Sequence, residues 1–278
     1  MWFYESLYPD IKIGVKGKII HRKKTPYQDM QLYSTPRFGK MLTLDGAIQT
    51  TEADEFIYHE MLTHPAMITH PNPKNILIIG GGDGGALREV LKYKIKKVYL
   101  VEIDKDVINI SKKYLDKICQ KSFHDKRLNI VIDDGAKFIK NTKERFDIVI
   151  VDSPDPIGPA KILFSKSFYS RVNSILTSKG IMIRQSGSTT LQADELKSSY
   201  KTLKKIFPVV EVQLAAIPTY IGGFFSFIIA SKGTNPKKLN VKDIKKRINK
   251  LRLRTKYYNP EVHTGSMGLP GYVRRLLG

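Results

Sequence analysis

From residue 75 onward the chain alternates short, nearly unbroken apolar runs with longer stretches whose apolar positions recur every three or four residues. The runs are ILIIG at 76–80, KVYLVEID at 97–104, LNIVIDDG at 128–135 and FDIVIVDSPDP at 146–156. Runs of this length, rich in Ile and Val, read as strands buried on both faces. The periodic stretches between them read as helices: one from about residue 85, one through VINISKKYL and one ahead of GIMIRQ. Strands and helices in alternation imply a mostly parallel sheet covered on both sides. Near the C-terminus, VVEVQLAA and GGFFSFIIAS predict an antiparallel pair, joined by a short turn and added to that sheet.

The first 65 residues have a different pattern. KGKIIHRKK, YQDMQLYST and KMLTLDGAIQT read as strands with tight turns, Asp45-Gly46 having hairpin-turn chemistry. EADEFIYHEMLTH then places Phe56, Ile57, Glu60, Met61 and His64 at helical spacing, and HPNP ends it. The expected organisation is a small β-rich N-terminal domain, residues 1–65, followed by an α/β domain built on the mostly parallel sheet, residues 66–278.

Composition narrows the function classes. At 278 residues and 41% hydrophobic, the chain can bury a substantial core. No apolar run approaches the ~20 residues that span a bilayer, and MWFYESLYPD lacks a basic stretch followed by an apolar one, so neither a membrane span nor a signal peptide is expected. The single cysteine, Cys119, cannot form an internal disulfide and suits a reducing compartment, so the expected location is cytoplasmic. A net charge of +21 raises the question of a polyanionic partner. The lysines are spread over nearly every predicted helix and loop, as a solvated surface would have them, and no nucleic-acid partner is expected.

The candidate chemistry begins in IIGGGDGGALREV. Gly80, Gly82 and Gly85 match the glycine fingerprint that receives a pyrophosphate at a helix N-terminus, but Asp83 stands among them and would repel one. Asp83 capping the helix is the plainer alternative. Ligands of open α/β sheets bind outside the carboxyl ends of the strands, and that edge is acidic here: Asp83, then Glu102 and Asp104, then Asp133 and Asp134, then Asp152 with Asp155. Glu102 lies at the distance from the glycine loop where a carboxylate accepts from ribose hydroxyls. An adenosine without pyrophosphate suggests a sulfonium cosubstrate. Asp83 facing its tail would attract an amine and repel a carboxylate, which favours decarboxylated S-adenosylmethionine over S-adenosylmethionine.

With YQDM, LDGAIQTTEADEFIYHEM, IIGGGDGGALREV, VEID, DDG, DSPDPIGPA, AIPTY and YYNPEVHT in this order, the chain resembles the polyamine aminopropyltransferases in their spermidine synthase branch. The resemblance implies a Rossmann-like, methyltransferase-like α/β domain behind the small β domain, transfer of an aminopropyl group from decarboxylated S-adenosylmethionine to putrescine with no separate cofactor, and a homodimer formed through the β domain. By motif it implies Gln28, Glu102, Asp134, Gly135 and Pro159 as nucleoside contacts and Asp83 as the amine's partner. His59 and residues Asp152 to Asp155 would face the polyamine, with Asp152 the proton acceptor, and Tyr58, Gln49 and Tyr220 would line the same channel. Ala53 stands where an arginine is common, Pro154 where a serine or threonine is usual, and Gly265-Ser266-Met267 differs from a bulkier pattern. Pro154 is expected to stiffen the loop after Asp152.

His59, Glu60 and His64 superficially resemble a zinc motif, but His64 follows His59 by five residues, about 140° around a helix, and no metal site is expected. The rival enzyme reading is an S-adenosylmethionine-dependent methyltransferase acting on nucleic acid. It leaves Asp83 awkward and the DSPDP segment without a role. The sequence leaves the preferred amine open among putrescine, cadaverine, agmatine and longer polyamines.

Overall fold

The computed structural model describes residues 1–155 and 158–278, without the side chains of residues 158 and 159. It opens with a two-stranded antiparallel ribbon, β1 (Trp2–Tyr4) and β2 (Gly14–Lys16). A four-stranded antiparallel sheet follows, β3 (Lys18–Lys24), β4 (Asp29–Thr35), β5 (Gly39–Leu44) and β6 (Ala47–Thr51), in the order β3-β4-β5-β6. The β5–β6 turn is Asp45-Gly46, with φ of 49° and 78° and Leu44 paired to Ala47. Positive φ at both central residues is the hairpin geometry whose twist matches the flanking strands.

Helix α1 (Glu55–Thr69) connects this sheet to the rest, and every side chain from Tyr58 to Thr69 is buried. The helix expected from the spacing is present, and it is enclosed, with the central sheet on one side of α1 and the helices introduced below on the other. Pro65 sits inside it. A proline cannot donate to the carbonyl four residues earlier, and that carbonyl, Met61 O, instead accepts from Gln213 Nε2 at 2.6 Å.

The α/β region runs β7 (Asn75–Gly80), α2 (Gly85–Leu91), β8 (Lys97–Glu102), α3 (Lys105–Tyr114), α4 (Asp116–Cys119), β9 (Leu128–Ile132), α5 (Gly135–Asn141), β10 (Phe146–Asp152), α6 (Lys166–Ile175), β11 (Leu176–Ser188), α7 (Ala193–Lys204), β12 (Val209–Ala216) and β13 (Phe224–Ser231), and ends with α8 (Val241–Leu251), α9 (Pro260–Gly265) and α10 (Gly271–Leu277). The sheet order is β12-β13-β11-β10-β7-β8-β9, parallel from β11 to β9, with β12 and β13 antiparallel, as the alternation predicts. The link between β12 and β13, residues 217–223, is longer than the tight turn expected and carries Tyr220 inward. Two apolar layers flank the sheet, one holding α1 and α2 residues, the other α6 and α7 residues.

The chain goes from β7 outward to β8 and β9, then returns to place β10 on β7's other side. This reversal opens a crevice beyond the ends of β7 and β10. Strand contact there is close: a Cβ on Gly80, whose φ is +78°, would lie 2.0 Å from the Asp152 carbonyl, and Gly81 N donates to that carbonyl at 2.9 Å. Only glycine meets both conditions.

Candidate active site

The crevice holds two adjoining cavities, of about 160 Å³ and about 390 Å³. Gln28, Gln49, Tyr58, His59, Asp83, Glu102, Asp152, Asp155 and Tyr220 line the smaller. Asp134 and Gly135 line the larger, which shares Gln28, Gln49, Glu102 and Asp155 with it. The side chain of Pro159 lies outside the described residues. The structure thus gathers the remaining candidates around one crevice.

The acids differ in state because their surroundings differ. Asp83 Oδ1 accepts from Gly85 N at 3.0 Å although the cap of α2 is Gly84, while Oδ2 meets His59 Nε2 at 3.2 Å. Burial works against ionisation of Asp83, but the His59 ion pair prevails and holds it below the usual carboxylate range. Asp152 Oδ1 accepts from Tyr58 OH at 2.6 Å. Burial, then the nearby Asp83 charge, push Asp152 up to about 6. Ligand atoms of His59, Asp83 and Asp152 all lie within 4.8 Å of one another, a spacing that could hold a cation. His59 already has a carboxylate at each ring nitrogen, Glu55 Oε2 at 2.6 Å being the other, so the set suits an organic ammonium better than a metal needing its lone pair.

At the end of β8, Glu102 Oε1 accepts from Asp104 N at 2.9 Å. Burial, despite that bond, pushes Glu102 up to about 7. A Cβ on Gly82 would lie 2.9 Å from Glu102 Oε2, so the glycine lets the loop pass beside this carboxylate. Asp104 caps α3 and accepts from Thr25 Oγ1 at 2.7 Å and Gln28 Nε2 at 2.9 Å, tying the N-terminal strands to the crevice. Asp134 caps α5, and Gly135 packs where a Cβ would be 2.3 Å from Ile79. Tyr220 OH donates to Gln49 O, and its ring stands edge-on to Tyr58.

Sequence reasoning missed the far wall of the smaller cavity. Glu5 and Tyr8 come from the N-terminal ribbon and its loop, and Gln185 and Gln192 from β11 and the residue before α7. Glu5 Oε1 accepts from Ile48 N at 2.9 Å, whereas its Oε2 and the Tyr8 hydroxyl are buried without a partner among the described residues. Burial, then Asp155 and Glu5, push Tyr8 up to about 12. Burial also raises Asp155, against the opposing influence of the Gln192 and Gln185 side chains. No periodicity or turn signal marks Glu5 or Tyr8; only the folded ribbon brings them here.

The smaller cavity is thus lined by several carboxylates, and the larger has one buried carboxylate, Glu102, beside a glycine turn. Residues 55–242 match the family described as "Spermine/spermidine synthase domain", and residues 1–52 match "Spermidine synthase tetramerisation domain". A polyamine aminopropyltransferase of Caldicellulosiruptor bescii is 45% identical over 279 residues, covering 100% of this chain and 98% of the relative. One of Clostridium tetani is 42% identical, covering 100% and 97%. Among solved structures, a spermidine synthase in complex with the transition-state analogue AdoDATO has a TM-score of 0.95 at 38% identity, covering 100% of this chain and 95% of that one. Spermidine synthase from Thermotoga maritima has a TM-score of 0.92 at 37% identity, covering 100% and 94%.

Proposed function

The chain belongs to the spermine/spermidine synthase family and is an aminopropyltransferase, and on that premise we propose that it transfers the aminopropyl group of decarboxylated S-adenosylmethionine to putrescine, giving spermidine and methylthioadenosine. The observation that carries this reading is the pair Asp83 and Asp152, two partly buried carboxylates beside a glycine loop, where a pyrophosphate would be repelled.

In this reading the nucleoside occupies the larger cavity. Glu102 takes the ribose hydroxyls, Gln28, Asp134 and Gly135 frame the base and sugar, and Pro159 is assigned from its motif alone. Asp83 takes the amine of the group to be transferred. Putrescine lies in the smaller cavity against Tyr58, Gln49, Tyr220 and His59, its distal ammonium between Asp155 and Glu5.

The attacking nitrogen meets the carbon beside the sulfonium. The N–C bond forms as the C–S bond breaks, the electron pair returns to sulfur, and the nitrogen's proton goes to Asp152. A primary amine with a pKa near 10.4 is neutral about once in 10³ at pH 7, a penalty of roughly 4 to 5 kcal/mol. The neighbouring sulfonium charge and loss of water both lower that pKa on the bound amine. Tyr58 occupies Asp152 Oδ1 and leaves Oδ2 to receive the proton. Alignment supplies the rest.

Two finer points belong to the same proposal. Assembly through the N-terminal strands, expected as a dimer, is proposed to be tetrameric, because residues 1–52 match a tetramerisation domain. Cytoplasmic residence is retained, with support from bacterial relatives; among the described residues no helix is long and apolar enough to cross a membrane.

The test follows products by mass spectrometry from purified protein, putrescine and either form of the sulfonium. Spermidine and methylthioadenosine from the decarboxylated form alone are expected, with Asp83→Asn losing that preference. Methyl transfer from S-adenosylmethionine, with no transfer to any polyamine, would overturn the reading.

A further inference from the structure

Behind Asp83 a row of buried charges alternates in sign. Asp83 Oδ2 meets His59 Nε2 at 3.2 Å, and His59 Nδ1 meets Glu55 Oε2 at 2.6 Å. Both Glu55 oxygens accept from Arg88, Nη1 to Oε1 and Nη2 to Oε2, each at 2.9 Å. Arg88 also donates through Nε to Glu89 Oε1 at 2.7 Å and through Nη1 to the Ile118 carbonyl at 2.6 Å. Glu89 Oε2 meets His64 Nε2 at 2.9 Å and Lys92 Nζ at 2.5 Å. Glu55, His59, Arg88 and Glu89 are all buried, and the row reaches the surface at Lys92.

Burying so many charges costs more than an apolar core of the same volume, so the row calls for a role besides stability. One of its ends is the carboxylate read above as the partner of the donor's amine. A neutral imidazole has one N–H, so it donates to one acceptor. His59 faces an acceptor on each nitrogen, and both ring bonds form only if both nitrogens carry protons.

We propose that Glu55 and Arg88 are positioning residues for the transfer: the two-pronged Arg88 contact fixes Glu55, Glu55 fixes His59 as a doubly donating imidazolium, and His59 fixes the orientation of Asp83. This rests on the reading that Asp83 receives the amine of the donor. The groups facing His59 are Glu55 and Tyr58 from α1, Asp83 from the glycine loop and Asp152 from β10, with Arg88 from α2 one step behind. Burial opposes charge on His59, yet Asp83 and Glu55 together hold its pKa well above the ordinary value. Space is matched as well: a Cβ on Gly85 would lie 2.2 Å from the His59 ring.

The experiment joins nitrogen NMR of the histidine side chains in the full-length protein, with His59 assigned through His59→Gln, to steady-state kinetics. In the native chain both His59 nitrogens are expected to be protonated at pH 8. Glu55→Gln should bring His59 deprotonation down toward neutral pH and raise KM for the sulfonium donor about tenfold, the order of coupling seen between contacting residues. Its kcat should change less than about threefold, since no group on the reacting atoms is removed. Arg88→Lys, which keeps the charge and loses the fork, should fall between. Adding Glu55→Gln to His59→Gln should leave KM where His59→Gln put it. If Glu55→Gln does not fold, Arg88→Lys combined with His59→Gln completes the same cycle. A neutral native His59 at pH 8, or KM effects that multiply independently, would overturn the proposal. An Asp83→Asn variant with unchanged donor KM would overturn the reading of Asp83 instead; an Asp83 effect without a Glu55 or Arg88 effect overturns the positioning row alone.

Discussion

Asp152 has one oxygen committed to Tyr58 and one facing the cavity, and this division sets what substitution should do. Asp152→Asn keeps the shape and removes the acceptor. Turnover is expected to fall at least about a hundredfold, within the range for loss of a general base, while methylthioadenosine binding changes little. Retained turnover in a quenched single-turnover assay would place the base elsewhere. Glu102 supplies a pH prediction. Its carboxylate form accepts from ribose hydroxyls and its neutral form does so poorly. With its pKa pushed up to about 7, methylthioadenosine affinity should be highest above neutrality and weaken as pH falls through 7. The limiting slope is about tenfold per pH unit. A flat calorimetric profile from pH 5 to 8 would remove Glu102 from the ribose. Asp83, Glu102, Asp134 and Asp152 were legible in the sequence because a strand followed by an acid fixes a place on the crevice edge. Glu5, Tyr8 and Gln185 were not, since their positions depend on how distant segments fold over that edge.

Among elements, the glycine loop separates stability from activity. Gly80 combines a left-handed φ with a backbone oxygen at 2.0 Å from any Cβ, so Gly80→Ala should destabilise the fold by more than about 2 kcal/mol. Gly85 begins α2 without positive φ, and the obstacle to a Cβ is the His59 ring. Gly85→Ala should therefore cost donor affinity more than thermal stability. Equal losses of Tm in the two variants, measured side by side, would contradict this division. The strand and helix alternation was readable because parallel strands are apolar on both faces. Helical spacing located α1 as well, but its enclosure by sheet and helices depends on the packing of distant segments and was not legible.

At the scale of the whole molecule, a chain of net charge +21 carries an acidic crevice. The Debye length is about 30 Å at 0.01 M salt and about 8 Å at 0.15 M. At low salt the distant lysines repel a diamine that the crevice acids attract only at close range. The kcat/KM for putrescine is expected to rise as salt increases over this interval, opposite to ordinary electrostatic steering; a steady fall would mean the crevice field reaches farther than its walls. The two cavities share Gln49, Glu102 and the stretch Ser153 to Asp155, so in the proposed seating the partition between them is common to both ligands. The entering nitrogen and the departing sulfur then stand on opposite sides of the same carbon. Both substrates must be seated at once, initial-rate lines for the two should intersect rather than run parallel, and a donor made chiral with deuterium at that carbon should yield product of inverted configuration.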